Sequence, residues 1–152
     1  MKGKIYISAL LIGSVLLATW LWLLRRPVDI VDVHQRNKYS DVLVRSFPFT
    51  NKGKIDWWLE NKSILKDKYN IPNPDKEGFF SVTFWDYGDG YKEDKYDRLC
   101  FDDMKTDKNC IDKNSIFSVR STRDNGLIFI LDDGKYLLQE DSKLIKIQSY
   151  EN

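Results

Sequence analysis

IYISALLIGSVLLATWLWLL, residues Ile5 to Leu24, carries no charged side chain in a chain that is 31% Asp, Glu, Lys and Arg. As a helix rising about 1.5 Å per residue it spans roughly 30 Å, the hydrocarbon thickness of a bilayer, with every backbone polar group satisfied internally. The run predicts a membrane anchor over residues 1–26, spanning at 5–24, followed by one α+β domain over 27–152. The remaining 126 residues are enough for a single core.

A basic start before an apolar run also describes a secretory signal peptide, so cleavage has to be weighed. The spacing argues against it: a cut after Ala18 would place Leu16 three residues before the scissile bond, where a small residue is needed. No Cys closes the run, which removes lipoprotein processing. Tyr6 at one end and Trp20 and Trp22 at the other suit the two membrane interfaces. Two small-xxx-small pairs, Ala9 with Gly13 and Ser14 with Ala18, leave the oligomeric state open.

Positive charge does not orient the anchor, since Lys2 and Lys4 on one side face Arg25, Arg26, Arg36 and Lys38 on the other. Cysteine usage breaks the tie. Cys100 and Cys110, the only two, lie close enough for a local disulfide, which an oxidising compartment would allow. The expectation is therefore an N-terminus in the cytoplasm and a C-terminal domain exported to the periplasm of a bacterial inner membrane. Closing this eleven-residue loop would stabilise the fold by about 2.5 to 3 kcal/mol on the chain-entropy model.

Beyond the anchor, Val28 to Val33 and Tyr39 to Phe47 read as a hairpin turning at QRNK. Phe47-Pro-Phe49 is an extended link, and Thr50 or Asn51 can cap a helix through WWLENKSILKDKY, ended by Pro72 and Pro74. At 100° per residue Ile55, Trp58, Leu59, Leu65 and Tyr69 share one arc, the core face. Trp57 and Ile64 project from the opposite flank, a possible docking stripe for a partner unless another part of the fold covers it.

Phe79 to Trp85 alternates with bulky residues on both sides, as a central strand covered on two faces would. Tyr96–Asp102, Ile116–Thr122, Leu127–Leu131, Tyr136–Gln139 and Leu144–Ile147 follow, with Asp124-Asn125-Gly126 and Asp133-Gly134 as tight turns. The pattern predicts an antiparallel meander packed with one main helix.

Chemistry is harder to find. With four of the 24 basic residues at the anchor, 20 remain against 23 acids, a net of −3 that removes the case for nucleic acid. His34, the single histidine, sits near Asp32, and as a general base it would need a nucleophile or second acid that no motif supplies. Local hydrogen bonding at a strand end is the simpler expectation. Asp86, Asp89, Asp102, Asp103 and Asp107 lack the alternation of an EF-hand loop, and two Cys with one distant His do not make a zinc site. No GxSxG, HExxH, P-loop or dinucleotide fingerprint is present. Neither a cofactor nor a catalytic residue is expected.

RPVDIVDVH, SFPFTNKGKIDWWL, FWDYGDGYK, YDRLCFDDM and CIDKN together resemble the bacterial family known as domain of unknown function 943. The likeness covers nearly the whole chain and implies a membrane protein of Gram-negative bacteria, with no catalytic residues to carry over. Three roles compete: a noncatalytic module binding an envelope protein, a self-protection protein neutralising a toxin at the inner membrane, and a hydrolase of envelope polymers using carboxylates.

If the anchor is retained, intact-mass measurement of the protein from a membrane fraction will give a chain beginning at residue 1 or 2. A mature start after residue 18 would contradict the anchor.

Overall fold

The computed structural model describes residues 1–124 and 126–147. Its first element, α1 (Lys2–Leu24), is long and apolar enough to cross a membrane and buries none of its residues against the rest of the chain. With no Asp or Glu in the run and no apolar partner, bilayer is the environment that satisfies this surface.

Among the described residues nine strands and a second helix follow: β1 (Asp29–Arg36), β2 (Tyr39–Arg45), α2 (Asn51–Tyr69), β3 (Ser81–Asp86), β4 (Arg98–Cys100), β5 (Cys110–Asp112), β6 (Ser115–Ser121), β7 (Leu127–Leu131), β8 (Gly134–Leu138) and β9 (Leu144–Ile147). Seven form one sheet in the order β1-β2-β3-β6-β7-β8-β9, and β4 with β5 makes a separate two-stranded ribbon. From β6 onward the sheet is the expected meander. Of the Asp124-Asn125-Gly126 turn, Asn125 lies outside the described residues.

One pairing departs from the all-antiparallel expectation. β2 and β3 run parallel, from Tyr39 opposite Ser81 to Val44 opposite Asp86. Parallel neighbours need a long crossover, and α2 supplies it. The sequence around Phe47 and Thr50 favours a helix start, but nothing local states that the chain returns to the same end of the sheet.

Thr50 caps α2 by accepting from the Gly53 N–H at 3.0 Å, and Asn70 ends it in the left-handed conformation at φ 55°. The helix therefore stops before the prolines are reached. Ile55, Trp58 and Leu65 are buried and Leu59 and Tyr69 partly so, all against Val42, Val44, Val82, Phe84, Phe117, Val119, Phe129 and Leu131 of the sheet. Fully covering such side chains stabilises by about 1.5–3 kcal/mol each.

The other face of the first strands is covered by the ribbon. Leu43, between Val42 and Val44, points there and meets Phe101 and Ile111, with Trp85, Tyr91 and Met104 alongside. The connection from β3 reaches the ribbon through Gly90, whose φ of 92° suits glycine and whose Cα lies close against Tyr87, where a Cβ would stand 3.3 Å from the phenol oxygen. Strand β4 is consequently shorter than Tyr96–Asp102, since residues 101–109 form the loop between the ribbon strands.

Trp58 is 1% exposed and its indole N–H finds no acceptor among the described residues, so truncation removes packing alone. Thermal unfolding of the chain carrying Trp58→Ala is expected to show a loss of about 3–5 kcal/mol. Ile64→Ala, at a position 58% exposed, is expected to stay within about 0.5 kcal/mol of the parent.

Candidate functional site

The polar cluster with the most connections begins with a register fault. Between Ile30 and Asp32 the pairing of β1 with β2 shifts by one residue, a bulge at Val31. Ile30 then pairs with Val44 and Val33 with Val42, on the α2 face, while Asp32 pairs with Leu43 and His34 with Asp41, on the ribbon face. Strict alternation would have kept Ile30, Asp32 and His34 together. The extra residue lets the strand give apolar side chains to the core and still aim an acid and an imidazole at the ribbon.

His34 is 6% exposed and stacks on Phe101, with centroids 3.8 Å apart and planes within 10°. Its Nδ1 lies 2.8 and 2.9 Å from the two carboxylate oxygens of Asp103. Its Nε2 lies 2.7 Å from the Tyr91 hydroxyl, which donates to Asp32 Oδ2 at 2.6 Å. The result is a line of four side chains, Asp103, His34, Tyr91 and Asp32, tying β1 to the β3–β4 connection and to the loop after β4. A cleft of about 150 Å³ opens beside it, lined by His34, Asp41, Phe101 and Asp103 among others.

Cys100 and Cys110 stand directly opposite each other in the ribbon and are joined by a disulfide. The loop they close carries Phe101 and Asp103 to His34. Anchor, disulfide and sheet are thus all in place on one chain, and residues 1–148 match the family described as "Enterobacterial putative membrane protein (DUF943)". The chain belongs to that family. No curated protein matches it, and no solved structure does.

In this family member the hydrogen bonds of the strand-end histidine are not local: their partners lie 57 and 69 residues further on, while Asp32, two positions before it, stands 3.7 Å from Nε2. The expectation of a local partner is corrected by the ribbon, which packs where solvent would have been. Asp32 two positions before His34 was the only signal in the sequence. Tyr91 and Asp103 had none, because their proximity depends on the ribbon.

Electrostatically the cluster holds its phenol neutral. The Tyr91 hydroxyl is pushed well above the usual phenol range, first by burial and then by its hydrogen bond to Asp32. A tyrosine nucleophile or base needs the opposite shift. Asp41, across from His34, is raised by burial while the hydrogen bond it accepts from Trp85 Nε1 at 2.8 Å opposes the rise. Both ring nitrogens of His34 face side chains, Asp103 at Nδ1 and Tyr91 at Nε2.

The other residues singled out in the sequence separate. Trp57 is half-buried, edge-on to Phe47 at 4.9 Å and to Phe84 at 5.6 Å, while Ile64 stands exposed further along the helix. Asp102 is exposed near Arg36, Asp89 pairs with Lys92 at 3.5 Å, and Asp86 accepts from the Gly88 N–H at 3.2 Å. Asp94 lies near the two cysteine sulfurs, but these are bonded to each other and are not free thiolates.

Tyr91→Phe leaves His34 Nε2 and Asp32 without their shared hydroxyl, and unfolding at neutral pH is expected to show a loss of about 1–3 kcal/mol. Because the folded state raises the phenol, its contribution is complete below the ordinary value of about 10 and declines as pH rises above it. Unfolding measured from pH 8 to 11 should therefore show parent and variant converging. A constant gap over that range would contradict the neutral-phenol assignment.

Proposed function

We propose that this membrane protein is a noncatalytic binding module, held by α1 in the bacterial inner membrane with its C-terminal domain in the periplasm, and that its partner is a protein of the envelope. The observation that carries the reading is the closed line from Asp103 to Asp32. It uses the chain's only histidine as a brace and keeps the adjacent tyrosine neutral. The Cys100–Cys110 pair supports the orientation, since a disulfide persists in an oxidising compartment and is rare in a reducing one. Ile64, exposed on the outer side of α2, supplies an apolar contact point on the domain. Trp57 contributes there only through its uncovered edge. Nothing in the geometry favours toxin neutralisation over ordinary binding.

Two measurements test the two halves. Thiol labelling of spheroplasts under denaturing, nonreducing conditions is expected to find neither cysteine free, and quantitative labelling of both would reverse the topology. A photocrosslinking residue at position 64 of the full chain, in cells, is expected to give a discrete adduct absent when the same residue replaces Lys76 on the loop before β3. Identical patterns from both positions would remove the docking role.

A further inference from the structure

At the exit of α1 a cleft of about 400 Å³ opens between the end of the anchor, the Phe47–Phe49 link, the first turn of α2 and the ends of β3 and β7. Small-molecule sites fall within about 300–1,000 Å³. Four charged residues line it: Arg26 and Lys54, Asp86 and Asp132.

The two cations are unusually placed. Arg26 follows the last apolar residue of α1 by two positions, which puts it at headgroup depth when the helix spans. Its Nε is buried and has no hydrogen-bond partner among the described residues. Lys54 is 7% exposed, yet among the described residues its ammonium makes one hydrogen bond, to the Ile116 carbonyl at 3.3 Å, and reaches Asp132 only at 3.6 Å. Three donors on a buried ammonium call for more than that. The guanidinium of the half-buried Arg26 lies 5.7 Å over the Trp22 ring, which leaves its Nε without an acceptor among the described residues. Two cations with unused donors on one cleft call for an anion, and phosphate oxygens suit both guanidinium and ammonium.

The acids restrict the choice. Asp86 and Asp132 balance the two cations, so a ligand that is only negative would meet repulsion beside attraction. A zwitterion carrying a phosphate and a primary ammonium satisfies all four, with N–H donors turned to the carboxylates; a quaternary ammonium has none to give. The apolar side runs toward the anchor. Phe49, 73% exposed, belongs to this cleft and to a second one of about 270 Å³ lined by Leu23 and Leu24 of the anchor. An acyl chain entering along that path lies beside the last turn of α1.

We propose that this cleft binds the headgroup of a phospholipid bearing phosphoethanolamine, Arg26 and Lys54 holding the phosphate and Asp132 with Asp86 the ammonium. The site does not depend on which side of the membrane the domain faces, nor on the binding-module reading.

The test uses the full chain in nanodiscs of mixed phosphatidylethanolamine, phosphatidylcholine and phosphatidylglycerol, with native mass spectrometry of the lipid that stays bound after ejection. Phosphatidylethanolamine is expected to be enriched about tenfold over its bulk share, as one or two charge-assisted hydrogen bonds allow. Arg26→Gln is expected to abolish the enrichment, with an unchanged unfolding temperature showing that the fold is intact. Asp132→Asn, on an exposed turn, is expected to retain lipid but to equalise the ethanolamine and choline headgroups. Bulk composition in the retained lipid, preferential retention of phosphatidylglycerol, or an unchanged preference in Asp132→Asn would overturn the proposal. Displacement of the lipid by free phosphoethanolamine at equal concentration would overturn the lipid as occupant.

Discussion

The parallel pair β2–β3 is the constraint on which the rest of the fold turns. Val42, Leu43 and Val44 are fully buried, and so are Val82 and Phe84 on the neighbouring strand, so this part of the sheet needs an apolar cover on each side. The crossover that makes the pair parallel supplies one cover, because α2 must travel back along the sheet and its arc from Ile55 to Leu65 lands on Phe84 and its neighbours. The second cover has to come from elsewhere, and the chain brings it after β3, as a short ribbon.

A ribbon of two three-residue strands cannot hold its place by pairing alone. Three fastenings compensate. The disulfide closes its loop, Phe101 and Ile111 bury against Leu43, and the line of Asp103, His34, Tyr91 and Asp32 bonds it to the edge strand β1. The last of these exists because the bulge at Val31 turns Asp32 and His34 to the ribbon face while Val33 stays in the core. A polar network that is fully partnered can fix a unique arrangement where a partly partnered one would weaken it. Here every member has a partner, and the phenol at its centre is held neutral.

The opposite situation holds at the membrane end of the domain. Beside the half-buried Arg26, whose Nε is unpartnered among the described residues, Lys54 is buried with too few partners, and these donors open into a cleft rather than into the core. One molecule thus holds a polar cluster that is complete and one that is incomplete. The first reads as structure and the second as a site for something the chain does not itself contain.

Much of this was legible in the residues because it depends on local patterns. The uncharged run from Ile5 to Leu24 fixes the membrane helix, since hydrocarbon leaves no alternative for its backbone. Thr50 and the spacing of Ile55, Trp58 and Leu65 fix α2 and its buried face, whereas the β7–β8 hairpin expected to turn at Asp133-Gly134 turns one residue earlier, at Asp132-Asp133, with Gly134 paired to Leu131. The tertiary structure alone decided that β3 lies parallel to β2, that one bulge moves His34 to the ribbon face, and that residues 57 and 69 positions away complete its bonds. It also separated Trp57 from Ile64 and drew Lys54 under the surface. Periodicity reports which way a side chain points from its own element. What meets it there is settled by which elements pack together, and that depends on the sum of contacts between segments far apart in the chain.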